Sequence, residues 1–186
     1  MSATALPRPL PTRPQPTRPL PTRALPTRPL PTRDAVTAAA AAALFAAILL
    51  AVARQLAHGG IVLPADRSLW LALHVATVVP ALPLGAYVLF RRKGDRTHRR
   101  LGRLWAVLML VGALSSFGLH GLMGHLSPIH LLSVITLVGV PRGVMLAMRG
   151  DIVQHRRTML RVYTGLVIAG LFAFLPGRLL GLWLFG

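Results

Sequence analysis

The sequence predicts an all-α membrane protein with five transmembrane helices, the last four a duplicated two-helix unit forming a four-helix bundle. Three observations predict it. Hydrophobic residues fill 54% of the 186 positions and charged residues only 13%, against ~25% charged in a soluble domain. The apolar residues fall into five runs. The basic residues, 21 Lys and Arg against 4 Asp and no Glu, cluster between alternate runs. This composition excludes an ordinary cytosolic enzyme and a disordered basic protein. A net charge of +17 that flanks apolar segments points to a membrane surface and not to nucleic acid. The absence of Cys removes disulfides, thiolate nucleophiles and Cys-ligated metal centres.

Three regions follow. Residues 1–33 form a Pro/Thr/Arg repeat in which Arg8, Arg13, Arg18, Arg23, Arg28 and Arg33 recur every five residues. Ten Pro in this stretch block helix and sheet ladders, so an extended, disordered tail is expected. PxxP spacings such as Pro11 to Pro14 could dock an SH3-like partner. Residues 34–60 hold the first transmembrane helix and an outer loop, and residues 61–186 the four-helix membrane domain.

The five runs are Ala35–Ala53, Ser68–Phe90, Leu104–Leu122, Ile129–Met148 and Val162–Leu175. A spanning helix needs about 20 residues to cross a ~30 Å core. The first run is long enough but Ala-rich. The second and third are plain. The fourth is interrupted by Pro141 and Arg142 near one end, and the fifth is short until Leu179–Phe185 is added. Ser127 and Pro128 suit the cap and first turn of helix four. Charge sets the orientation. The tail, the segment 91–103 and the segment 142–161 carry six, seven and five basic residues, and only Arg54, Arg67 and Arg178 lie on the other side. By the positive-inside rule the N-terminus is cytoplasmic and the C-terminus outside, as in a multi-pass protein of a bacterial inner membrane. Trp70 and Trp183 are expected at the outer interface, Trp105 and Tyr163 at the inner one.

An internal repeat supports the duplication. Gly94-Asp95 followed by His98-Arg99-Arg100 echoes Gly150-Asp151 followed by His155-Arg156-Arg157, and His74 and His130 each stand 20 residues before the glycine. Gly112-Ala113-Leu114 and Phe117 align with Ala169-Gly170-Leu171 and Phe174. Helices two and three then correspond to helices four and five. Small residues four apart, Gly112 to Ser116 and Ala169 to Ala173, suit close helix approach in lipid.

Four stretches carry a resemblance: Ser127–Ser133, His98–Trp105, His155–Met159 and Ala169–Arg178. Together they resemble a domain-of-unknown-function family of predicted bacterial membrane proteins, over about residues 70–186. The resemblance implies a multi-span inner-membrane protein and carries no established activity, so any chemistry rests on the residues themselves.

The histidines are the residues with chemistry to offer. By helix rise His74 lies ~8 Å and His120 and His130 ~12 Å outward of their helix centres. Imidazoles at matched depth on helices two and four could hold a haem b or a metal ion. His74 and His130, with His120 as a further candidate, are therefore the expected cofactor ligands, and electron transfer the leading expectation. The pattern resembles the transmembrane di-haem cytochrome b class but departs from it on the inner side. There His98 and His155 lie ~20 Å from mid-helix, at headgroup level. With Arg99, Arg100, Arg156 and Arg157 they are expected to face anionic lipid heads or phosphate. The competing reading is a non-enzymatic membrane or partner-binding protein whose histidines hold helices together. Hydrolase chemistry is poorly supported, because Ser116 and His120 lack a nucleophile elbow and an orienting third group. A small-solute transporter is a further alternative: a proton-coupled one usually places a carboxylate inside a span, and none is expected there, but His could substitute.

Overall fold

The computed structural model describes residues 32–60, 68–91, 93–119, 128–175 and 178–185. Residues 1–31 of the repeat tail, His120, His125, Ser127 and Asp66 lie outside them, whereas the last two tail residues, Thr32 and Arg33, belong to the first helix. Six helices follow in order: α1 (Thr32–Ala57), α2 (Ser68–Phe90), α3 (Arg96–Ser116, extended by a 3-10 turn Phe117–Leu119), α4 (Pro128–Met148), α5 (Ile152–Phe172) and the short α6 (Leu179–Phe185). The described residues contain no strand. α1, α2, α3 with its 3-10 extension, and α4 are long and apolar enough to cross a membrane. α5 has the length, but Arg156, Arg157 and Arg161 in its first half keep it less apolar.

Helix starts are set by chemistry that runs of apolar residues do not reveal. Asp95 caps α3, its carboxylate accepting the His98 N–H at 2.6 Å. Asp151 caps α5 in the same way, accepting the Gln154 N–H at 3.0 Å. Each cap follows a glycine in the left-handed region, Gly94 at φ 88° and Gly150 at φ 80°, where an L side chain is strained. The two cationic turns thus share a positive-φ glycine followed by a capping aspartate, although the cap ψ differs, 171° at Asp95 and 74° at Asp151. Both basic HRR stretches lie near the starts of helices, not in loops.

The pairings fix an up-and-down bundle. α2 and α3 run antiparallel, with Trp105 Nε1 donating to the Ala81 carbonyl at 3.0 Å and Thr77 lying against Gly112. α3 meets α4 through Ser116 and Ser133, 2.7 Å apart. α4 and α5 are antiparallel, Gly139 against Val162 and Gly143 against Met159. α5 closes onto α2 where the Tyr163 hydroxyl donates to the Leu82 carbonyl at 2.9 Å. α1 lies beside α2, α5 and α6 and parallel to α5: Asp34 pairs with Arg156 and Leu44 rests on Gly170. α2 and α4 therefore occupy opposite corners, and the turns bearing Gly94 and Gly150 lie at the same end as Asp34.

The core differs between the two halves of the bundle. Towards the cationic end it is apolar, built on Trp105, Tyr163, Met109, Met159, Val162, Leu82 and Val140. Trp105 and Tyr163 were expected at the membrane interface; both are buried, with ring centroids 6.5 Å apart. Their polar atoms reach main-chain carbonyls of α2, which is what an indole or phenol needs once out of water. Gly85 makes the room, since a Cβ there would meet both rings. Outside the core the surface is apolar. Val107 and Val138, 56% and 62% exposed, are typical of side chains turned away from the bundle. In water such a surface would aggregate; in lipid it is the matched solvent.

Candidate functional site

The far half of the bundle is polar inside. Thr77, Ser115, Ser116, His130 and Thr136 are all buried. Most of these hydroxyls bond back to their own helix: Thr77 to the Leu73 and His74 carbonyls, Ser115 to Gly112, Ser116 to Ala113 and Thr136 to Leu132. This is how Ser and Thr are accommodated without water. Because the Ser116 hydroxyl is already spent on Ala113, the Ser133 hydroxyl is the donor in the Ser116–Ser133 contact.

His74 sits in the α2–α3 seam. Its Nδ1 lies 2.9 Å from the Gly112 carbonyl and 3.2 Å from Ser115 Oγ. A carbonyl only accepts, so Nδ1 carries the proton. Ser115 donates to that same carbonyl at 2.9 Å. His74 is therefore not poised as a base for Ser115, and the pair is no nucleophile. Nε2 is left as the ring's lone-pair nitrogen.

His130 is 8% exposed and packs on α3 by a different residue, its ring 5.5 Å from that of Phe117. Ser115 and Phe117 project from α3 in widely separated directions, since two positions on a helix differ by about 200°. The two expected ligands are thus brought to one helix but to different flanks of it. Among the described residues no group of three His, Cys, Asp or Glu is placed to hold a metal. His120, the third expected ligand, lies outside the described residues.

At the cationic end the expected lipid-facing residues divide. Arg99, Arg100 and Arg157 are exposed. His155 Nδ1 lies 2.8 Å from the Gly143 carbonyl, so this imidazole ties α5 to α4. His98 is half-buried at the start of α3. Arg156 pairs with Asp34, whose side chain is 5% exposed. Asp95 is held below the usual carboxylate range, first by the His98 N–H and then by Arg91, whose Nη2 lies 2.6 Å away. Arg91 also lies over the Tyr87 ring. The Asp34–Arg156 pair was missed in the sequence because the partners are 122 residues apart. The one available signal was that Asp34 is the sole acid beside the first apolar run.

These features define a polytopic α-helical membrane protein with a polar seam in one half and a cationic turn end. Residues 71–180 match the family described as predicted membrane protein (DUF2306), and the chain belongs to that family. No curated protein and no solved structure matches it.

Proposed function

We propose that the chain is a non-enzymatic integral protein of a bacterial inner membrane that binds lipid or a partner. It has five spans, a cytoplasmic N-terminus and an outer C-terminus. Its four-helix core is a duplicated hairpin whose cationic end rests on anionic lipid heads. The common pairing of a positive-φ glycine with a capping aspartate, at Gly94-Asp95 and at Gly150-Asp151, supports the duplication. The parallel run of α1 and α5, antiparallel to α2 and α4, supports an odd number of spans. One observation carries the reading of the histidines as structural: His74 commits its proton to the Gly112 carbonyl across the α2–α3 seam. His155 does the same to Gly143 across the α4–α5 seam. In lipid such bonds join helices, at about 1 kcal/mol each.

A second reading keeps a haem b on His74 and His130. What favours it is the same Nδ1 bond, because a ligating imidazole commonly donates its other N–H to a carbonyl. α2 and α4 also stand at opposite corners, as two ligand-bearing helices would. Bound haem would supply one-electron transfer. The inner half offers less, since Trp105 and Tyr163 fill it. The visible spectrum of protein purified from haem-replete cells decides. The structural reading expects no Soret band, while a Soret band lost in His74→Ala and in His130→Ala would establish the haem reading.

A further inference from the structure

Two arginines stand apart from the cationic turns. Arg142 lies six residues before the end of α4, and Arg161 nine residues after the start of α5. Both are exposed. Neither has a hydrogen-bond or ion-pair partner among the described residues. Their places follow from the seam between the two helices. Gly143, the residue after Arg142, packs on Met159 and Thr158, and Val162, the residue after Arg161, packs on Gly139. With antiparallel pairing in that register, Arg142 and Arg161 differ in height by about two residues, or ~3 Å. Both project from the outer side of the same groove. Thr158, one helical turn before Arg161, lies against Gly143 in the groove between them.

Depth makes these charges informative. Only Val162–Phe172, 11 residues, follows Arg161 within α5, and it covers ~17 Å at helical rise. That is short of the ~30 Å hydrocarbon core. If α5 crosses the bilayer, Arg161 lies below the headgroup plane, where an uncompensated charge is costly. No carboxylate among the described residues answers it. Asp34 is paired with Arg156, Asp95 with Arg91, and Asp151 caps α5.

We infer that Arg142, Thr158 and Arg161 form a binding site for the phosphate of an anionic phospholipid of the cytoplasmic leaflet, seated in the lipid-side groove between α4 and α5. Two guanidinium forks converging from different helices suit a tetrahedral oxyanion. The apolar residues that flank the groove, such as Ile135 on α4 and Ile168 on α5, meet the acyl chains. The inference rests on the reading that α5 spans beside α4. Labelling of Gly186→Cys, beyond the far end of α5, tests that reading separately, so the two can fail independently.

The test uses the full chain in detergent. Its thermal unfolding is followed with phosphatidylglycerol, with phosphatidylcholine of the same chain length, and with inorganic phosphate. Retained lipid is counted by native mass spectrometry. Phosphatidylglycerol should raise the midpoint more than phosphatidylcholine, and inorganic phosphate should not raise it. Arg142→Gln with Arg161→Gln should abolish the difference and lower phosphatidylglycerol retention roughly tenfold. Arg96→Gln with Arg149→Gln, which removes the same charge from the same end, should keep both. Arg142→Lys with Arg161→Lys, which preserves charge but not the fork, should fall between. An undiminished phosphatidylglycerol effect in the first double variant would overturn the site. Equal loss in the Arg96/Arg149 control would replace it by a general charge effect.

Discussion

Asp34 in the first turn of α1 pairs with Arg156 in the first turn of α5, and this ion pair ties the first helix to the four-helix core. The Asp34 side chain is 5% exposed and that of Arg156 42%. Removing the arginine strands a buried carboxylate, whereas neutralising the aspartate leaves an arginine that can reach water. Arg156→Ala should therefore destabilise more than Asp34→Asn, by about 1–3 kcal/mol against less than ~1 kcal/mol. Denaturation in detergent measures both. Equal effects would show that the pair contributes as a surface contact only.

Gly85 receives the Trp105 and Tyr163 rings at the centre of the apolar half. Gly85→Val should cost about 1–3 kcal/mol by overpacking. Tyr163→Phe removes one buried hydrogen bond to the Leu82 carbonyl and should cost about 0.5–1.5 kcal/mol. Thermal midpoints of the two variants test the order. A neutral Gly85→Val would mean that the rings do not close on α2 in the membrane.

His74 joins α2 to α3. His74→Ala should lower stability by about 0.5–2 kcal/mol, and Ser115→Ala by less, because Ser115 bonds mainly within its own helix. The comparison is read from the denaturation midpoint in detergent. An unchanged midpoint in His74→Ala would leave the histidine without a structural role.

Asp95 gives a pH dependence whose sign is fixed. Its carboxyl titrates below the ordinary range when folded, because the ionised form accepts the His98 N–H and faces Arg91. The stability it contributes is present above the ordinary carboxylate pKa and is lost as pH falls through the lowered value. Asp95→Asn should flatten the acid limb of a stability–pH curve relative to wild type. Because Asp95 is solvent-accessible, raised salt should shrink the difference. An identical acid limb in the variant would exclude the cap as its source.

The sequence made the spans more legible than the helices. The run Ser68–Phe90 coincides with α2, and Ile129–Met148 begins one residue after the start of α4. In contrast, α3 and α5 start eight and ten residues before their apolar runs. Hydropathy measures where lipid begins, whereas the Gly-Asp pair sets where the helix begins. The repeat aligns Asp95 with Asp151, and both cap the helix that follows. The polar seam was legible in part. Depth placed His74 and His130 at one level, but helix rotation decides which neighbour each imidazole meets, and that depends on packing. Trp105 and Tyr163 differ from the expectation for the same reason: both turn inward to the core and not outward to an interface.

The proposal that the chain crosses the bilayer five times puts the turn at Asp151 inside and the far end of α5 outside. Since the chain has no Cys, single cysteines give a clean reading. Gln154→Cys and Gly186→Cys should be tested in intact cells with a membrane-impermeant maleimide. Labelling at position 186 and protection at position 154 until the cells are opened is the predicted result. Protection of both positions in intact cells would place the C-terminus inside and contradict the five-span account.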